Sequence, residues 1–214
     1  MPGKYESSTA VFDSTGEIRW RLARVWGNRP PVLWLMCNPS NANALIDDPT
    51  ISRCVNFTKA WGFTSLQVCN VYPWVSSSPE AVKRKIRDAR GYDSFEALAP
   101  ALKRNEGIVR RVALASAMIV AAWGEIAAFD IYTGHFATIL QEAGVDLHCL
   151  AVGRNGAPMH PLARGRSRIP AGAKPLLWRK SESIPQRLRY SEASTTPKAG
   201  RHTGENHDYG ETHD

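Results

Sequence analysis

The sequence predicts an α/β protein, a three-layer α/β/α domain built on a central, mostly parallel four-stranded sheet. Three observations predict it. Four short apolar runs, Pro31–Cys37, Ser65–Val71, Ala117–Trp123 and Val145–Val152, alternate with segments whose apolar residues recur at helical spacing. The first, Pro31–Cys37, is nearly continuous in apolar residues, as a strand covered on both faces is. Each runs into polar or glycine-containing sequence, at the place where open parallel sheets bind ligands.

In chain order, Ala10–Asp13 and Ile18–Leu22 flank a Ser-Thr-Gly turn and read as a hairpin. Pro31–Cys37 is the first buried strand. Thr50–Trp61 reads as a helix through Ile51, Cys54, Val55, Phe57 and Ala60, with Gly62 as its stop. Ser65–Val71 is the second strand. Pro79–Arg90 is a helix with Ser78 at the N-cap and Pro79 in the first position. Asp93–Val109 is a helical region interrupted at Pro100. Ala117–Trp123 is the third strand, closed by Gly124; Ala127–Ala143 is a helix closed by Gly144, and Val145–Val152 is the fourth strand. Residues 1–180 form the predicted single domain. The polar stretch 181–214 has almost no large apolar residue after Tyr190, cannot offset the cost of ordering and reads as a disordered tail.

Of 27 basic and 20 acidic residues, the tail carries 4 and 6, which leaves a body of net charge +9. Such a body suits a polyanionic partner, and DNA or a nucleotide is the expected one. No apolar stretch approaches the roughly 18–20 residues that span a bilayer, and the first residues lack a signal-peptide pattern, so a cytoplasmic protein without a membrane partner is expected. No obligate protein partner is evident. Cys37, Cys54, Cys69 and Cys149 lack metal-site spacing, and Cys37, Cys69 and Cys149 sit in apolar runs. They read as buried thiols, and neither a metal nor a cofactor is expected. Phosphate-loop, dinucleotide, nucleophile-elbow and zincin patterns are all absent from the chain.

If the four strands are parallel, their ends converge. The first ends in Asn38-Pro39-Ser40, with Asp47 and Asp48 beyond it; the second ends in Asn70-Val71-Tyr72-Pro73-Trp74. The third ends in Trp123-Gly124, and the fourth opens into Arg154-Asn155 and on to His160. Each has a structural reading of its own: Asn38 starts a turn, Asn70 satisfies a strand end, and Asp47 and Asp48 complement a helix N-terminus. Only their joint placement makes a site. Ser40, Arg154 and Asn155 join it as substrate-binding candidates, and Tyr72 and Trp74 as stacking partners for a base. Basic residues cluster at Lys83, Arg84 and Lys85 on one helix and at Arg164, Arg166 and Arg168 near His160, where they suit phosphate contacts.

The ordered set Asn38-Pro39-Ser40, Asp47-Asp48-Pro49-Thr50-Ile51-Ser52-Arg53-Cys54, Trp61-Gly62, Ala121-Ala122-Trp123-Gly124, His148-Cys149-Leu150 and Gly156-Ala157-Pro158-Met159-His160-Pro161-Leu162 resembles the family called domain of unknown function 1643, from about Ala10 to Trp178. More distantly, Asn38-Pro39, Asn70-Val71 and His160-Pro161 are similar in order to motifs of the uracil-DNA glycosylase superfamily. That resemblance departs at Cys37 and Leu162, where small residues are usual. It implies hydrolysis of the N-glycosidic bond of a modified or damaged base in DNA. In that reading Asn38 orients water with Asp47 or Asp48 assisting, Asn70 reads the base edge, and His160 stabilises the departing base. A non-catalytic nucleic-acid-binding module and an enzyme acting on a free nucleoside or nucleotide are the alternatives.

Overall fold

Strand β3 (Val32–Met36) is buried at every residue, and the rest of the sheet is arranged about it. The computed structural model describes residues 4–88, 92–125 and 131–182. The other strands are β1 (Ser7–Phe12), β2 (Arg19–Val25), β4 (Ser65–Asn70), β5 (Met118–Ala121), β6 (Leu147–Cys149) and β7 (Leu176–Arg179). The helices are α1 (Pro49–Ala60), α2 (Pro79–Asp88), α3 (Tyr92–Leu114) and α4 (Ile131–Glu142). The sheet runs β1-β2-β4-β3-β5-β6-β7.

The four predicted strands are present and mutually parallel, in the order β4-β3-β5-β6. The sheet itself is nevertheless mixed and seven-stranded, which corrects the expectation of four strands, mostly parallel. The predicted hairpin is longer than expected and docks through β2, antiparallel to β4, with Leu22 opposite Val68. At the other edge β7 pairs antiparallel with β6. Leu176 and Leu177 of β7 are both half-exposed, so their sequence carries neither a buried run nor an alternation; backbone pairing to β6 alone makes them a strand. Helix α3 also runs through Pro100, where an interruption was expected. Proline removes one backbone hydrogen bond there, and burial of Leu102, Val109 and Val112 against the sheet outweighs that loss.

Alternation along β3 divides the core in two. Leu33 and Leu35 face Val82 of α2, Val109 of α3 and Leu140 of α4. Val32, Trp34 and Met36 face Ile51, Val55 and Phe57 of α1. Helices therefore cover both faces of the sheet. Trp34 anchors the second core: its ring stacks on Trp61 at 5.5 Å and its Nε1–H donates to Thr58 Oγ1 at 3.0 Å. All four cysteines are buried. No helix among the described residues is long and apolar enough to cross a membrane.

The connections set up the site. The chain leaves β3 through α1 to reach β4 on one side, then passes through α2 and α3 to reach β5 on the other. Strand order thus reverses between β3 and β5, and their carboxyl ends diverge around a crevice. At the other end of the body, the first residues of the predicted tail are tied in. Ser181 N–H donates to Asp146 Oδ1 at 2.7 Å and Glu182 N–H to Gln141 O at 3.1 Å. The remainder of that stretch, from residue 183, lies outside the described residues.

Replacing Trp34 by Ala deletes a fully buried ring and its hydrogen bond, and is expected to cost about 3–5 kcal/mol in urea unfolding. Leu176→Ser, on the half-exposed edge, should change stability by no more than about 0.5 kcal/mol. Comparable losses for the two would refute the division into core and edge.

Candidate functional site

A cavity of about 510 Å³ opens at the crevice between the ends of β3 and β5. That volume suits a nucleotide-sized ligand. Its walls come from four segments: Cys37, Asn38 and Ser40 after β3, Asp48 to Ile51 at the start of α1, Trp123 to Glu125 after β5, and the loop from Met159 to Ser167. Asn70 at the end of β4, Ser76 and Ser77 beyond it, and Arg19 at the start of β2 also line it. The three residues whose convergence the sequence argument needed, Asn38, Asn70 and His160, therefore line one cavity.

Asn70 is the least satisfied of them. It is 1% exposed, and neither Oδ1 nor Nδ2 of its carboxamide has a hydrogen-bond partner. Leaving one buried polar group unpaired costs about 1–3 kcal/mol, so a side chain with two is expected where a ligand supplies the partners. Its backbone is held from behind, because Asn105 Nδ2 of α3 donates to the carbonyls of Asn70 at 2.8 Å and Val71 at 3.1 Å. Asn38 presents the complementary arrangement. Its Nδ2 donates to Ser76 O at 2.8 Å and to Pro39 O at 3.1 Å, which leaves Oδ1 as the group available to accept a proton donor.

His160 is placed by backbone pairing. Met159 N–H donates to Ala151 O and Gly124 N–H to Pro158 O, both at 2.9 Å, so the loop after β6 folds back against the end of β5. Leu162 N–H donates to His160 Nδ1 at 3.1 Å. The neutral ring therefore carries its proton on Nε2. Burial pulls the imidazole below its ordinary pKa, with the Asp48 carboxylate opposing, and it is neutral near pH 7 as a hydrogen-bond donor. Gly124 permits this approach: its φ is +81°, and a Cβ there would lie 3.2 Å from His160 Cβ.

Asp47 and Asp48 separate in role. Asp48 is the N-cap of α1, its Oδ1 accepting from Ile51 N–H at 2.7 Å and its Oδ2 from the Ser40 hydroxyl; both residues line the cavity. Asp47 points away from the cavity. It binds Arg24 Nε at 2.8 Å, Lys4 Nζ at 2.6 Å and the Tyr5 hydroxyl at 2.5 Å. Burial alone would raise its carboxyl, but those three partners outweigh burial and hold it below the usual carboxylate range. Its expected part in orienting water gives way to a structural one.

Other expected residues also lie elsewhere. Tyr72 and Trp74 are buried on the opposite side of the sheet, in the core shared with α2 and α3, because the two residues after Asn70 carry the chain past the cavity wall. Arg154 and Asn155 are exposed in the turn after β6, where Asn155 Oδ1 accepts from Ala157 N–H at 3.1 Å. Arg164 reaches the cavity rim; Arg166 and Arg168 are exposed beyond it. Arg84 and Lys85 are exposed on α2 and do not line the cavity, while the side chain of Lys83 lies outside the described residues.

Two further residues line the cavity: Trp123, expected at the third strand end but without a role, and Arg19, which carries no sequence signal of its own. Trp123 supplies an aromatic wall and packs edge-on against Trp178 at 5.4 Å. Arg19 arrives through a β-bulge. Val11 pairs with Arg21 and Phe12 with Arg19, so Trp20 is an extra residue in β2 and the alternation reverses across it. Arg19 is 2% exposed, donates through one terminal nitrogen to Ala42 O at 2.7 Å, and has a buried Nε without a partner. Burial brings it down to about 10, with the Asp48 carboxylate opposing, so it stays charged.

Fold and site together define a mixed α/β protein with a cavity of polar and apolar lining at the carboxyl ends of its parallel strands. Residues 19–162 match the family described as a protein of unknown function (DUF1643), and the chain belongs to that family. The matched span begins and ends on cavity residues, Arg19 and Leu162. Nothing among curated proteins and nothing among solved structures matches the chain.

Asp47→Asn should cost about 3–5 kcal/mol near pH 7, because it removes the countercharge of a buried arginine. The stability that the Asp47 carboxylate contributes is complete above the unfolded value of about 4 and is lost as pH falls through the depressed folded value. The gap between wild type and Asp47→Asn in urea unfolding should therefore narrow on acidification below about pH 4; a constant gap would contradict the pairing. At Gly124, substitution by Ala should cost at least about 1–2 kcal/mol and shift the ring signals of His160 in NMR spectra. Gly16→Ala, also at positive φ but with open space around it, is the control and should leave those signals in place.

Proposed function

We propose that the cavity binds a nucleobase carried by DNA or a nucleotide and hydrolyses its N-glycosidic bond. The observation that carries this reading is the buried Asn70 carboxamide, a donor and an acceptor side by side with neither partnered. A nucleobase edge offers the reciprocal pair, an acceptor beside a donor, in one plane. Trp123 supplies the aromatic surface on which a flat ring stacks, and the cavity volume accommodates a base with its sugar.

The chemistry follows from the neighbours. In N-glycosidic hydrolysis a water oxygen bonds to the anomeric carbon as the bond to the base nitrogen breaks; the base departs with the bonding electrons, and the proton that the water loses ends, through solvent, on the departing base. Asn38 Oδ1 accepts a hydrogen bond from that water, held in place because its Nδ2 is bound to Ser76 and Pro39 carbonyls. His160 donates through Nε2–H to the charge that develops on the base, and Arg19 adds a fixed positive charge to the same cavity. Asp48 serves through α1: as its N-cap it aims the first turn, Thr50 and Ile51, at the cavity. A base in duplex DNA has to be flipped out first at a cost of a few kcal/mol, so single-stranded substrates are favoured. Exposed Arg164, Arg166 and Arg168 beside the cavity suit the adjoining phosphates.

The test is base release from single- and double-stranded oligonucleotides carrying uracil, hypoxanthine, oxidised or alkylated bases, with free nucleosides assayed in parallel. Abasic sites should form with the wild-type protein, and His160→Ala or Asn38→Ala should lower the rate by roughly 10²–10³. Binding that Asn70→Ala abolishes, without base loss in any substrate, would retain the recognition and remove the hydrolysis. Release from free nucleosides alone would transfer the activity from DNA to small substrates.

A further inference from the structure

A second cleft, of about 380 Å³, lies between β2, β4 and α3, on the side of the sheet away from the main cavity. Trp20, Arg21, Gln67, Arg104, Ile108 and Arg111 line it. Arg104 and Arg111 are seven residues apart on α3, two turns along one face, with Ile108 between them. Arg21 comes from β2, on the near side of the bulge that sends Arg19 to the opposite face. Three guanidinium groups thus gather in one cleft. None of them is ion-paired with a carboxylate among the described residues.

The neighbouring groups offer no carboxylate, and the side-chain acceptor they do offer is Gln67 Oε1. Trp20 is 4% exposed, and its Nε1–H is buried without a hydrogen-bond partner. An indole N–H can only donate. The Arg104 guanidinium lies over the Trp20 ring at 4.8 Å, and Arg21 donates to Gln67 Oε1 at 3.4 Å, so two of the arginines are already oriented. What satisfies three like charges and an orphaned donor is an anion with several acceptor oxygens. A carboxylate offers two oxygens; a phosphate offers three or four and matches guanidinium forks two at a time.

We propose that this cleft binds a phosphate group, borne either by a small phosphorylated ligand or by a nucleic-acid backbone. It is a separate site from the main cavity and stands whether or not that cavity processes a base.

The seven tryptophans give separate indole Nε1–H signals in ¹H–¹⁵N spectra, and Trp20→Phe identifies the one from Trp20. The full chain is titrated with inorganic pyrophosphate at constant ionic strength, with potassium chloride as the control. The Trp20 signal should move saturably with pyrophosphate and not with chloride. In the Arg104→Gln, Arg111→Gln double variant the same signal should be present but respond with affinity lower by roughly tenfold or more. Asn38→Ala should leave the response intact, which separates this site from the proposed reaction. A Trp20 signal that is unmoved, that follows chloride equally, or that responds unchanged in the double variant would overturn the proposal. A parallel titration with a short unmodified single-stranded oligonucleotide distinguishes the sources. Movement with both ligands assigns backbone phosphate, and movement with pyrophosphate alone assigns a small ligand.

Discussion

Arg24 of β2 is buried at 1% exposure and meets Asp47 at 2.8 Å, and that pair governs the wall of the main cavity. The same guanidinium donates to the carbonyls of Asn43 and Ile46, so one side chain binds three residues in the second half of the loop between β3 and α1. Arg19, two pleats away, takes the carbonyl of Ala42 in the same loop. The loop's large apolar side chains, Leu45 and Ile46, are exposed, so apart from Cys37 and Ala42 hydrophobic burial does little to hold it against the sheet. The buried cations hold it there, since each requires the carboxylate or carbonyls that the loop presents. Ser40 and Asp48 flank the held stretch, so the α1 cap and the cavity entrance follow from its position.

The cavity combines groups that a folded chain leaves unsatisfied only where something else completes them. Asn70 lacks partners for both polar atoms, and Arg19 lacks one for Nε. His160, by contrast, is held in a defined tautomer by a backbone N–H. Fixed dipoles of this kind need no reorganisation when charge develops on a bound molecule, which is where preorganised sites derive their effect. Support comes from behind, through Asn105 on the Asn70 backbone and Gly124 beneath the His160 ring.

Strand β2 serves both faces of the sheet because it is not regular. A strict alternation would place Arg19 and Arg21 together, on one side. The extra residue at Trp20 separates them, so one arginine enters the main cavity and the other the second cleft. Two neighbouring positions thereby contribute to two sites of different character. The first gathers carboxamide, imidazole and carboxylate groups around Arg19; the second gathers three arginines.

Much of the central architecture was legible in local pattern. The apolar runs identified β3 to β6, helical spacing identified α1, the Ser78-Pro79 start identified α2 and the Gly144 stop α4, and the parallel order brought Asn38, Asn70 and His160 to one edge. These features were readable because burial on both faces and helical periodicity leave their marks within a few residues of chain. The edge strands were not readable in that way: β7 exists through pairing with β6, and its leucines stay half-exposed. Nor could spacing distinguish Asp47 from Asp48, because a one-residue step sends the first to Arg24 and the second to the α1 cap. Tyr72 and Trp74 entered the core, while Trp123, from a different strand end, faced the cavity. By itself the sequence determined where the parallel strands lie and which polar residues stand at their ends. Only the tertiary structure decided which of those side chains face the cavity, since that depends on a bulge in β2 and on buried charges whose partners lie far along the chain.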